Sequence, residues 1–183
     1  QGNHKKVVNE QTYIIDNFSD ALNDEDLALA LRNRADAYFV LEDYENALND
    51  YSKVIELQPE DPDNLILRSD CYVALEDYDN ALIDLSKAID VAIEKERYFT
   101  YRADFYDAYL DDSEKSLEDY DKAISLSPEY KIPLNNKASL LQNLERYEEA
   151  MKIYDDIIEI DSSYWRAYSS KADIYYDLKD YEN

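Results

Sequence analysis

Enzymatic chemistry needs a nucleophile or a group that carries protons near neutral pH, and this chain holds few of either. His4 is the only histidine and Cys71 the only cysteine. A histidine-based triad, a histidine metal cluster, a disulfide framework and a multi-cysteine metal site are therefore excluded within these residues. His4 lies before the regular pattern begins and reads as inert. Cys71 sits beside Tyr72 in a helical core stretch, the setting of a small buried thiol rather than a reactive one. Carboxylates are plentiful, 43 Asp and Glu against 19 Lys and Arg. A catalytic acid pair, however, needs an enclosed pocket that drives two pKa values apart, and a repetitive surface offers none. Asp24-Glu25-Asp26 and Glu60-Asp61-Pro62-Asp63 lack the glycine of a calcium loop and read as loop and helix-start residues. Asn17-Phe18-Ser19 fits a glycosylation triplet but falls in a helical pattern, where such a short match is read as chance. No catalytic residue, cofactor or metal is expected.

What remains is charge that recurs at a fixed interval. Arg34, Arg68 and Arg102 stand 34 residues apart, Lys137 follows after 35, with the extra residue around Asp111 to Ser113, and Lys171 follows after 34 again. Two places after four of these five lie Asp36, Asp70, Asp104 and Asp173, and Ser139 takes that place in the other unit. Asp63, Asp107 and Asp177 fall nearby in the same segments, with Phe39, Tyr101 and Tyr176 interleaved. Carboxylates among aromatic rings can receive Lys and Arg side chains through charge steering and cation–π contact. The same residues also suit an ordinary solvated face in a chain that is 34% charged. Two carboxylates about 10 Å apart repel by about 1.7 kcal/mol at an effective dielectric of about 20, a tolerable cost that a cation removes. Binding of that kind weakens with salt. Asp50, Asp84 and Asp119 accompany the three arginines, which reads as ion pairing between helices, with an anion-binding ladder as the alternative.

The elements that carry these columns are helical. One Gly and four Pro in 183 residues argue against turn-rich β folds and glycine-lined phosphate loops. Hydrophobic residues make up 45% of the chain and 19 are Tyr, enough apolar surface to offset chain entropy. The net charge of −24 repels nucleic-acid backbones and anionic leaflets and favours basic partners. No stretch approaches a membrane span in apolar length. The compartment is left open, with the cytoplasm slightly favoured. Each unit holds two helical patterns. Leu31, Ala35, Tyr38 and Leu41 share one face, and after a break at Glu42-Asp43 so do Ala47, Tyr51 and Val54. Leu65, Ser69, Tyr72 and Leu75, then Ala81, Leu85 and Ala88, repeat the arrangement, as do Leu134, Ala138, Leu141 and Leu144, then Ala150, Tyr154 and Ile157. Neither helix of such a hairpin can bury its face alone, so hairpins must stack.

This pattern resembles the tetratricopeptide repeat. The small column is Ala35, Ser69, Ala103, Ala138 and Ala172, the aromatic after it Tyr38, Tyr72, Tyr106, Leu141 and Tyr175. In the second helix Ala47, Ala81, Ser116 and Ala150 precede Tyr51, Leu85, Tyr120 and Tyr154 by four residues, and Pro59 and Pro128 close two units. Family glycines are missing, which is expected to stiffen the hairpins without changing their path. The resemblance implies an all-α, right-handed superhelical solenoid of helix-turn-helix hairpins, whose first helices line a concave surface that receives peptides or partner helices. Repeats are expected at 28–61, 62–96, 97–130 and 131–164. A tail and partial upstream second helix occupy 1–27, and a partial repeat 165–183.

Within that frame the candidate groove residues are Asp36, Asp70, Asp104, Asp173, Phe39, Tyr101, Arg32, Asn33, Asp63 and Asp107. The expected function is a non-catalytic protein-binding adaptor for a Lys/Arg-rich segment, with no nucleic acid or membrane partner. A structural spacer, a module that self-associates end to end, and a regulatory part of a larger protein are the alternatives. Some family members clamp chaperone C-terminal carboxylates with Lys, Asn and Arg. Arg32 and Asn33 supply part of such a clamp, but Asp36, Ile66 and Leu67 depart from it. The chain is expected to be a fragment of a longer array. Residues 9–22 read as a second helix, with Ile14, Phe18 and Ala21 spaced like Ala47, Tyr51 and Val54, and Ile174, Tyr175 and Leu178 are expected to be under-covered.

Overall fold

A computed structural model describes residues 2–178. The described residues form α1 (Gly2–Phe18), a 3-10 turn (Ser19–Ala21), α2 (Asp24–Val40), α3 (Tyr44–Leu57), α4 (Pro62–Ala74) and α5 (Tyr78–Val91). They continue as α6 (Glu96–Leu110), α7 (Ser113–Leu126), α8 (Lys131–Asn143), α9 (Tyr147–Ile160) and α10 (Trp165–Asp177). The chain divides into two compact units, Gln1–Ile93 and Glu94–Asn183, where the sequence reads as one uninterrupted array. The division falls where Ala92-Ile93-Glu94-Lys95 replaces the capped and proline-led entry used by α4, and Ile93 is fully exposed. In the first unit α2 pairs with α3 and α4 with α5, and α1 packs on α2; in the second, α6 pairs with α7 and α8 with α9, and α10 packs on α9.

Each hairpin closes on the columns read from the sequence. Ala35, Ala47 and Tyr51 pack with Cys71, and Leu134, Ala138 and Leu141 pack with Ala150, Tyr154 and Ile157. Two of the second helices, α5 and α7, start at capping aspartates: Asp77 accepts from the Asn80 N–H and Asp112 from the Lys115 N–H. Tyr44, Tyr78 and Tyr147 each open a second helix; Tyr181 lies outside the described residues. Asp24, Glu25 and Asp26 form the first turn of α2 behind the Asn23 cap, and Asp61 caps α4, as helix-start residues do. The hairpin turns carry strain. Glu42, Glu76, Asp111 and Glu145 adopt φ of 63°, 59°, 50° and 58°, the left-handed region that glycine enters without cost. The Asp43 N–H donates to the Tyr38 carbonyl at 2.9 Å and the Glu42 N–H to the Phe39 carbonyl at 3.0 Å, a helix stop repeated at Glu76-Asp77 and Glu145-Arg146. The missing turn glycines therefore put strain into the turns. In the third hairpin the extra residue lengthens α6, and Asp111 is itself its left-handed cap.

Two sequence expectations are corrected. α1 does not use Ile14, Phe18 and Ala21 as Ala47, Tyr51 and Val54 are used: Phe18 is half exposed and Ala21 lies in the 3-10 turn. Arg34 Nη1 donates to Thr12 Oγ1 at 3.2 Å as Arg68 Nη1 donates to Ser52 Oγ at 3.1 Å. Thr12 therefore stands where Ser52 does, and the register lies about two helical turns earlier than read. The cause is the longer 3-10 connection and an α2 lengthened at its start. Ile174 is fully buried between α10 and its neighbours. Tyr175 is half-buried, and of the three residues named only Leu178 is exposed.

Candidate functional site

The basic column is consumed inside the hairpins. Arg34 donates from Nε and Nη2 to the two Asp50 carboxylate oxygens at 2.6 and 2.8 Å, and Arg68 to Asp84 at 2.7 and 2.7 Å. Arg102 does the same to Asp119 at 2.7 and 3.1 Å. Each guanidinium also lies over the ring four residues on, Tyr38, Tyr72 or Tyr106, about 6 Å from its centroid. The carboxylates are buried, and their forked bonds hold the Arg34 and Arg68 pKa above the ordinary value. Where Ile153 replaces the aspartate, Lys137 turns back to Asp121 on α7 at 2.5 Å, and Lys171 turns to Asp155 on α9.

The acidic column is treated differently in each repeat. Asp36 is exposed and accepts from the Tyr51 hydroxyl at 2.5 Å. Asp104 accepts from the Tyr120 hydroxyl and from Asn136 Nδ2 of α8, the latter at 3.0 Å. Burial raises the Asp104 pKa while those two bonds oppose the rise. The position that supplies these hydroxyls is Leu85 in the second repeat, so Asp70 has no hydrogen-bond partner among the described residues. Desolvation by the surrounding chain pushes its pKa up to about 6, although the residue itself reaches solvent. Asp107 is exposed, its pKa raised first by desolvation and then by Asp111; Asp173 is exposed on α10. The tyrosine hydroxyls escaped the sequence reading, which counted that column as core. The signal was present, since Tyr51 and Tyr120 follow Asp36 and Asp104 at nearly the spacing of Asp50 after Arg34.

The other candidates divide. Arg32 lies 3.8 Å from Asp61 in a half-exposed ion pair, and Asn33 is exposed beside it. Asp63 sits half-buried in the first turn of α4. Phe39 is not an open aromatic wall: it packs against the Ala35, Ala47, Tyr51 and Cys71 cluster, with its ring edge-on to Tyr44. Tyr101 already carries Arg97 over its ring at 5.4 Å. Burial, then Asp70 and Asp36, pushes the Cys71 thiol up to about 12, so it stays protonated at neutral pH. His4 is half-buried on α1, and no group of metal-ligating residues forms among the described residues.

Family patterns described as tetratricopeptide repeat match residues 28–61 and, in a second form, residues 62–92, 102–130 and 133–164. The chain belongs to the tetratricopeptide repeat family. Solved structures of this fold include MamA, with a TM-score of 0.70 at 16% identity over 90% of this chain and 92% of that one. YrrB, described as a TPR protein with an unusual peptide-binding site, gives 0.60 at 20% identity over 93% and 84%. The first TPR of Spaghetti (RPAP3), bound to the HSP90 peptide SRMEEVD, gives 0.54 at 23% over 64% and 93%. These likenesses establish the all-α solenoid fold. Among curated proteins, the DnaJ homolog subfamily C member 3 homolog of Dictyostelium discoideum is 59% identical over 39 residues, 21% of this chain. The match spans only 8% of that protein. As a tetratricopeptide repeat protein, the chain is a scaffold for protein–protein interaction, and no described helix is long and apolar enough to cross a membrane.

Proposed function

We propose that this tetratricopeptide repeat chain is a non-catalytic adaptor that holds a Lys/Arg-rich segment of a partner protein on the acidic faces of its first helices. The observation that carries this reading is the unequal fate of the two charge columns. Arg34, Arg68 and Arg102 are neutralised by Asp50, Asp84 and Asp119 within their hairpins. Asp36, Asp70, Asp104 and Asp173 receive neutral donors or none, so their charge is left for an incoming cation. Asp70 is the strongest candidate contact, because a cationic group there relieves a desolvated carboxylate that no neighbour bonds. Arg32 and Asn33 border this surface in the first unit, Asp63 lies on the following first helix, and Asp107 lies beside Asp104 in the second unit.

The peptide held by the Spaghetti domain contains two Glu and an Asp. Carriage of such an acidic peptide is disfavoured here, because Arg34, Arg68 and Arg102 of the first helices are committed to buried aspartates and Asp36 stands among the residues that would have to meet it. The test is a pull-down from source lysate with the wild-type chain beside a folded Asp36→Asn, Asp70→Asn, Asp104→Asn variant. A partner held by the wild type and lost by the variant supports the reading. Partners retained equally by both reduce the column to a solvated face.

A further inference from the structure

We propose that the neutral donors beside the first-helix aspartates set which cation each one takes: Asp70, which has none, receives the fork of an arginine, and Asp104, which has two, receives a lysine. This rests on the reading that these aspartates meet an incoming cationic segment. An ionised carboxylate has about four acceptor sites, two on each oxygen, and a forked guanidinium needs one on each. What its own chain has already filled therefore decides what a carboxylate can still hold.

At Asp104 one oxygen is full. Oδ1 accepts both from the Tyr120 hydroxyl and from Asn136 Nδ2, the latter at 3.0 Å. Tyr120 is 2% exposed, and its pKa is raised first by burial and then by the bond to Asp104, so the phenol stays protonated and keeps donating. Only Oδ2 is left, which denies a fork its second oxygen. A lysine ammonium is a compact point charge that one oxygen satisfies, whereas an arginine is reduced here to a single bond.

Asp70 is the converse. Leu85 follows it at the interval by which Tyr51 follows Asp36, and brings no hydroxyl. Neither Asp70 oxygen accepts from a described residue and the side chain reaches solvent, so a guanidinium finds both oxygens open. The desolvation of this carboxylate by the surrounding chain strengthens each bond of the fork. Asp36 lies between the two cases, since Tyr51 fills one of the sites on Oδ1 at 2.5 Å and leaves the other. The fourth repeat shows what the hydroxyl does without a carboxylate: Ser139 holds the aspartate's place, and Tyr154 donates to Gln142 Oε1 at 3.4 Å instead.

The experiment is calorimetric titration of the 183-residue chain, at neutral pH and low salt, with two capped peptides of one sequence that carry lysine or arginine at every basic position. The wild type should favour the arginine peptide by about fivefold, the worth of one further hydrogen bond. Asp70→Asn should abolish that preference, while Asp104→Asn should weaken both peptides and leave it. Leu85→Tyr, which gives Asp70 the hydroxyl that Asp36 and Asp104 have, should narrow the preference. Leu85→Phe adds a ring without the hydroxyl and should keep it, with circular dichroism confirming that both variants fold. A preference that survives Asp70→Asn, or that Leu85→Tyr and Leu85→Phe change alike, overturns the proposal; because both peptides still bind, the adaptor reading then stands. Binding of neither peptide by the wild type overturns that reading and this one with it.

Discussion

Removing the guanidinium of Arg68 should destabilise the first unit strongly. Asp84 is 3% exposed in its side chain and receives both Arg68 bonds at 2.7 Å, so Arg68→Ala strands a carboxylate that water reaches poorly. Breaking one partner of such a pair costs about 3–5 kcal/mol. The 19% exposure of Arg68 allows some water in and points to the lower end, about 3 kcal/mol. Lost contacts to Ser52 and to the Tyr72 ring add to the damage. Lys171→Ala is the control. Its partner Asp155 is 56% exposed, so that loss should stay below about 1 kcal/mol. Urea unfolding followed by far-ultraviolet circular dichroism gives both values, and amide exchange assigns the Arg68 effect to residues 1–93. Replacing the pair together, Arg68→Met with Asp84→Leu, should recover most of the loss, because the stranded charge is gone. A cost for Arg68→Ala no larger than that of Lys171→Ala, or a double variant weaker than the single, refutes the reasoning and returns the column to ligand binding.

The remaining predictions concern strain and protons. Glu76→Gly should stabilise the first unit by about 1 kcal/mol by relieving its left-handed backbone, and Glu76→Val should destabilise it; urea midpoints check both. The Asp70 pKa lies above its ordinary value, so the ionised form is disfavoured by folding. The stability it costs above pH 6 is regained as pH falls from about 6 towards 4. Asp70→Asn should therefore raise stability at pH 7 and flatten that part of the pH profile. Affinity for a lysine-rich peptide should fall as pH drops through about 6 in the wild type and not in Asp70→Asn, measured by calorimetry at pH 7.5 and 5.

The hairpins were legible because small and aromatic residues recur at helical spacing and have few other ways to be buried, as Ala35, Ala47 and Tyr51 illustrate. The basic column was legible for a related reason: Arg34 and Asp50 recur together, and a buried charge needs a partner. Register at α1 was not, because Ile14, Phe18 and Ala21 imitate the spacing of a second helix while a 3-10 turn shifts the real one. The division after Ile93 was hidden as well, since the periodicity of the sequence runs across it without a break. At the candidate site the aspartates could be read, but not their unequal environments. Whether Asp36 meets a hydroxyl and Asp70 meets none turns on Tyr51 and Leu85, side chains whose apolar bodies serve the core equally well. Phe39 shows a related limit: it is half-buried against the Ala35, Ala47, Tyr51 and Cys71 cluster, which its place between the core columns does not reveal.

The central claim is that unneutralised first-helix aspartates recognise a cationic segment. The most direct measurement is titration of a fluorescent lysine- and arginine-rich peptide into the wild type and into the Asp36→Asn, Asp70→Asn, Asp104→Asn variant, at low and high salt. The account predicts wild-type binding that weakens clearly with salt and a variant that binds at least about tenfold more weakly at low salt, a loss of about 1.4 kcal/mol or more. Equal affinities for the two proteins, or an affinity indifferent to salt, would contradict it.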